Sequence, residues 1–192
     1  TMISEGQHTG LANQIAAGHV GLAYLGIGYN DFRERFGSIY NGSLAGANLD
    51  NFINNRFDDV RTATETVLAA GDVKLVLEAV KDPAFSPVII NNFPDPARRQ
   101  LVTDAVFEFN QRLLALGAEY NLPVIYFDLP DMMSLLDEDG ELVVGGVTMI
   151  FGLGVNPRNV FVHDGHLHTI PNGFLSNVFL EAVNTAWGHL LA

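Results

Sequence analysis

An α/β fold is predicted, with a parallel sheet covered by helices on both faces, and three observations predict it. Residues 20–27, 73–80 and 124–129 are short, nearly continuous apolar runs, the pattern of strands buried on both sides. Stretches with helical spacing separate them, over residues 50–70 and 97–120. Strands that alternate with helices pair in parallel through crossover connections. The 192 residues suit a single domain spanning 1–192. At 48% hydrophobic and 17% charged, with mean hydropathy +0.18, they supply a sizeable core and exclude a disordered chain.

Each element has its own signal. Residues 9–17 read as a short helix closed by Gly18, a glycine suited to a helix C-terminus. The run 20–27 is the first strand, and Gly28-Tyr29-Asn30-Asp31-Phe32 reads as the turn that ends it. A polar, glycine-rich stretch from Gly37 to Asn48 is expected to be a surface loop. Asp50 is placed to cap a helix that runs to Ala70, with Phe52, Ile53, Phe57, Val60 and Val67 on one face. The strand 73–80 leads into a proline-punctuated loop ending near Pro96, and 97–120 is the longest helix. The strand 124–129 lies between Pro123 and Pro130. It is followed by a short helix around 132–136 and an acidic turn at 137–140. The tail holds a strand-like run at 159–162, the segment His163-Asp164-Gly165-His166-Leu167-His168-Thr169, and a last helix with Pro171 in its first turn.

Composition narrows the function. Ten Lys and Arg stand against 22 Asp and Glu, a formal net charge of -12 that repels phosphate backbones and argues against a nucleic-acid partner. The absence of cysteine excludes disulfides, zinc-thiolate sites and thiol nucleophiles. No apolar run approaches the ~20 residues of a membrane span. Residues 1–6 lack the basic and apolar regions of a signal peptide, and localisation stays open.

In open parallel sheets chemistry sits beyond the carboxyl ends of the strands. Gly28–Phe32, Asp128–Asp131 and His163–Thr169 are expected there. An imidazole beside a carboxylate suits the activation of a nucleophile, and Asp164 with His166 is such a pair. A solvated loop with incidental histidines accounts for the same residues. The Asn30 amide after the first strand can donate to a developing oxyanion, with Asp31 free to hold the turn through backbone bonds. An ordinary Asx turn is the plainer reading.

Taken together, Gly28-Tyr29-Asn30-Asp31 after a buried strand and Asp164/His166 before the last helix resemble the SGNH (GDSL-like) esterases and lipases. The resemblance extends from the stretch at Gln7–Phe32 to the last helix. It implies a flavodoxin-like, three-layer α/β/α fold and a carboxylic-ester hydrolase that needs no cofactor. It also implies Asn30 as oxyanion donor, His166 as base with His168 as the fallback, and Asp164 as its orienting carboxylate. One residue separates Asp164 from His166 where the family has two. The family's Gly-Asp-Ser nucleophile block is absent, and none of Ser4, Ser38, Ser43, Ser86, Ser134 and Ser176 follows a strand directly. The chain is therefore expected to lack the first strands of that fold. Strand 20–27 would be an open edge for an N-terminal segment on another chain, or for a homodimer.

Two rival readings remain. His163, Asp164, His166 and His168 offer metal ligands within six residues, with Asp31 and Asp128 as further donors, as in a metal-dependent hydrolase. Alternatively the domain is catalytically inert and only binds. Phe32, Phe36 and Tyr40, which follow the oxyanion turn, are candidates for an acyl pocket, as are Met132 and Met133.

Overall fold

The computed structural model of the chain describes residues 2–126, 141–144, 146–156, 158–163, 166–167 and 169–188. Strands β1 (Leu22–Gly26), β2 (Lys74–Glu78) and β3 (Val124–Ile125) form a parallel sheet in the order β1-β2-β3. Gly26 lies opposite Glu78, and Glu78 opposite Ile125, so the three carboxyl ends share one edge. The continuous apolar runs have a simple cause. Successive side chains of a strand point to opposite faces, and both faces of this sheet are covered. Leu75 and Leu77 join the main core, whereas Val76 packs with Ile125 and Val183.

The main core gathers helices α2 (Tyr29–Tyr40), α3 (Ala47–Ala69) and α5 (Pro96–Tyr120) against one face. Helix α6 (Thr169–Trp187) meets the other through Val183, Val178 and Phe179. Helix α1 (Gln7–Ala16) adds Ile15 to the main core. Helix α5 shows how sequence sets such boundaries. The Asp95 carboxylate accepts from the Ala97 and Arg98 amides, Pro96 occupies the first helical position, and Asn121 ends the helix at φ 53.

Several boundaries depart from the sequence reading. Residues 29–40 are helix, not a turn leading into a loop, because Phe32, Phe36 and Ile39 recur at helical spacing and are fully buried. The loop is therefore shorter, and α3 begins at Ala47 after Gly46, with Asp50 inside its first turn instead of at the cap. A 3-10 turn at Pro83–Phe85 and helix α4 (Pro87–Asn92) occupy the proline-rich stretch, each started by a capping side chain, Asp82 and Ser86.

A second sheet was not foreseen beyond the run at 159–162. Strands β4 (Leu142–Val144), β5 (Val147–Leu153), β6 (Asn159–His163) and β7 (His166–Leu167) follow one another in that order. β5 and β6 are parallel, and the outer pairings are antiparallel. Among the described residues its buried core is Leu142, Met149, Val160 and Phe161. The expected continuation of the third strand to 129, the helix at 132–136 and the turn at 137–140 lie outside the described residues. Among the described residues β1 pairs only with β2, which leaves its outer edge unpaired and Tyr24 exposed.

Candidate functional site

The carboxyl ends of β1 and β2 open onto a cavity of about 360 Å³. Two glycines at the end of β1 allow close packing beside it. A Cβ on Gly26 would come within 2.5 Å of the Glu78 carboxylate, and one on Gly28 within 2.7 Å of Val80 Cγ2. Gly28 also has φ 115, which disfavours any other residue there. The chain can thus turn directly from β1 into α2, and this sets Tyr29 and Asn30 in the first helical turn at the cavity wall. Asp31 follows in the same turn, where a carboxylate suits the positive end of the helix. Its partner is not neighbouring backbone, as the sequence suggested, but Arg56 of α3, which donates from Nη1 at 3.1 Å.

The β2 side contributes charge. Lys81 Nζ lies 2.8 Å from Glu78 Oε1, and both residues line the cavity. The Tyr24 hydroxyl donates to Glu78 from the neighbouring strand. Partial burial, and then that bond and the carboxylate's charge, hold the phenol well above its ordinary range. Burial similarly raises Tyr29, with Arg33 opposing and Asp82 reinforcing the shift. Between Glu78 and Lys81, Val80 is held by a buried amide. Asn110 Oδ1 accepts from the Val80 N–H at 2.8 Å, and its Nδ2 donates to the Val80 carbonyl at 2.9 Å. One side chain so satisfies both backbone groups where the ladder ends.

The far wall comes from the end of the chain. His166 in β7 and Asn172 in the first turns of α6 line the same cavity as Asn30. Of the residues singled out from sequence, Asn30 and His166 are therefore brought together. Asp164, His168 and Asp128 lie outside the described residues, and of His163 only the backbone, in β6, is described. Among the described residues no group of three His, Asp or Glu side chains is arranged to hold a metal ion.

No serine is among the described residues that line this cavity. Ser86 Oγ accepts from the Ile89 amide as the cap of α4, Ser43 donates to the Ser38 carbonyl, and Ser176 donates to the Asn172 carbonyl within α6. Ser134 lies outside the described residues. The acyl-pocket expectation for Phe32 and Phe36 is overturned: both are fully buried, Phe32 against Phe52 and Phe109 and Phe36 against Phe93, and belong to the core. Tyr40 stacks on the same group, and Met132 and Met133 lie outside the described residues.

Sequence reasoning missed Glu78, Lys81, Asn110 and Asn172. The first two had a usable signal, since charged residues at the end of an apolar strand are rarely there for packing. Asn110 had none, because a lone amide within a long helix does not reveal a distant strand end as its partner. Comparison with protein-family models, curated proteins and solved structures found no match to this chain. Among the described residues no helix is long and apolar enough to cross a membrane.

Proposed function

We propose that this chain is a carboxylic-ester hydrolase of the SGNH type, and one observation carries that reading. Asn30 and His166, far apart in sequence, line one cavity at the carboxyl ends of parallel strands. In this reading β1, β2 and β3 are consecutive strands of a flavodoxin-like, three-layer sheet. Further strands add at the open edge of β1, from an N-terminal segment on another chain or from a second copy.

The proposed chemistry is acyl transfer. A serine oxygen attacks the ester carbonyl as His166 accepts its proton, and the carbonyl oxygen becomes an oxyanion to which Asn30 Nδ2 donates. Collapse of the tetrahedral species breaks the bond to the alcohol, which leaves with the proton returned by His166. Water then repeats the sequence on the acyl-enzyme. Asp164 is the carboxylate assigned to hold the imidazole tautomer. The nucleophile lies beyond the described wall of the cavity. That same observation favours a second reading, an inert domain that binds and does not turn over.

The test combines p-nitrophenyl acetate hydrolysis with fluorophosphonate labelling read by intact mass. Turnover with one stoichiometric serine adduct, both lost in His166→Ala, would show that this chain holds the nucleophile, and peptide mapping would locate it. Asn30→Ala is expected to lower kcat by about 10²–10³ with little change in KM. Turnover unaffected by either substitution would remove both residues from the site. Neither label nor turnover would mean that the serine lies on a segment outside this chain, or that the domain is inert.

A further inference from the structure

We infer that Asn110 is a positioning residue for Asn30: its amide stands in for β1 beside Val80, which frees the chain to leave the sheet at Gly28 and enter α2. The effect on turnover rests on the hydrolase reading. The effect on the backbone at residues 28–30 does not. The sheet's own hydrogen bonds fix what Val80 would otherwise pair with. Leu22 lies opposite Lys74 and Gly26 opposite Glu78, and the Lys74 N–H donates to the Gly21 carbonyl at 2.9 Å. Leu77 and Ala79 instead donate to the carbonyls of Pro123 and Ile125, at 3.0 and 2.8 Å. The even-numbered residues of β2 thus turn their backbone groups toward β1, and the odd-numbered ones toward β3.

Continued past Glu78, that repeat would join the Val80 N–H to the carbonyl of Ile27, and the Val80 carbonyl to the N–H of Tyr29. Asn110 takes both groups instead, at 2.8 and 2.9 Å. Residues 27 and 29 are released from the ladder, and the Gly28 carbonyl accepts from the Phe32 N–H at 3.1 Å as α2 begins. Packing ties the same places together. A Cβ on Gly28 would meet Val80 Cγ2 at 2.7 Å and Phe109 Cε1 at 3.4 Å. Phe109 and Asn110 are consecutive in α5, so one turn of that helix supports both the packing and the hydrogen bonds at the exit from the sheet. Asn110 is 2% exposed, so an apolar residue in its place leaves two buried backbone groups unpaired. They regain partners when residues 27–29 return to extended backbone beside them. That unwinds the first turn of α2 and carries Asn30 away from the cavity.

Two measurements test this. In the first, Asn110→Leu and Asn110→Ser are compared with the parent chain by backbone NMR. Serine is too short to reach both Val80 groups, and its polarity keeps a usable variant if the leucine does not fold. The Cα shifts of residues 28–30 are expected to move from helical toward extended values, while those of α5 stay helical. Helical shifts retained at 28–30 in every variant that folds would overturn the inference. In the second, p-nitrophenyl acetate hydrolysis is followed in the same variants with and without Asn30→Ala. A fall in kcat of about 10²-fold with little change in KM is expected, and no further fall where Asn30 is already alanine. Losses that multiply in the double variants would overturn the positioning role, because Asn110 would then act on turnover by a route other than Asn30. Absence of turnover in the parent would bear on the hydrolase reading alone, and the shifts at 28–30 decide the inference in that case too.

Discussion

The two sheets of this molecule are built to different standards, and the candidate site lies where both contribute. The parallel sheet is enclosed by a core that includes Phe32, Phe36, Ile53, Leu75, Leu77, Phe109, Leu113 and Leu116, each nearly or fully buried. Among the described residues the second sheet rests on Leu142, Met149, Val160 and Phe161. Asn30, Glu78 and Lys81 stand on the first body, His166 at the rim of the second. The Asn30 side of the cavity is thus set by deep packing, and among the described residues the His166 side by a thinner layer. Local opening should therefore affect the two halves unequally.

The largest expected effect would break that contrast if it failed. Phe109 is fully buried, packs edge-on against Phe32 at 5.4 Å and reaches the backbone at Gly28. Phe109→Ala should cost about 3–5 kcal/mol in urea unfolding and lower the protection of amides throughout α2, α5 and β2. Met149→Ala, in the small core, should cost about 2–3 kcal/mol at most, since a thin cluster collapses more easily around a gap. Its amide exchange should rise across β4–β6 alone. Equal, global effects from the two substitutions would mean that both sheets belong to one cooperative unit.

An intermediate effect sharpens the comparison at the cavity itself. Asn110→Leu keeps the volume but leaves the Val80 N–H and carbonyl without their partner at a 2% exposed position. A cost of about 1–3 kcal/mol is expected. Amide shifts should concentrate at residues 78–81 and 28–30, because Val80 is the residue on which Gly28 closes. Asn110→Asp offers a control. Its neutral carboxyl can reproduce both bonds, whereas the carboxylate faces the Val80 carbonyl with no proton, so Val80 protection should fall as pH rises. Shifts spread evenly over the core would assign Asn110 a purely structural role.

What the sequence disclosed follows the same division. The strands at 22–26 and 74–78 were legible because burial on both faces leaves an unbroken apolar run, and the helices at 47–69 and 96–120 because they are long enough to show their period. Asn30 is expected just after a buried strand, and it lies in the first turn of α2 at the cavity wall. Helix α2 was hidden because Gly28, Asn30, Asp31 and Gly37 are turn residues by type, and only the register of Phe32, Phe36 and Ile39 betrays a helix. The second sheet was hidden for a different reason. Its pairings are short, and Gly146, Gly152 and Gly154 break up the apolar pattern along the chain. Glu78 was assigned to a strand interior, when its position at the strand end is what places it in the cavity.

The smallest expected effect concerns how much surface charge adds to the better-packed body. Arg61 of α3 donates to both carboxylate oxygens of Glu119 in α5, at 2.9 and 2.8 Å. That bidentate bond, with the guanidinium's charge, holds the Glu119 carboxyl below its ordinary range. A depressed carboxyl stabilises the fold above its unfolded value of about 4.3, and this contribution fades as pH falls through the lower folded value. Glu119→Gln should therefore lower the unfolding midpoint slightly at pH 7 and lose its difference from the parent chain when both are acidified to about pH 3. Because the pair is exposed and screened by salt, added NaCl should shrink the difference at pH 7 as well. A large effect that persists in acid and salt would contradict the picture of a body held by its core, and would make the α3–α5 surface a structural tie in its own right.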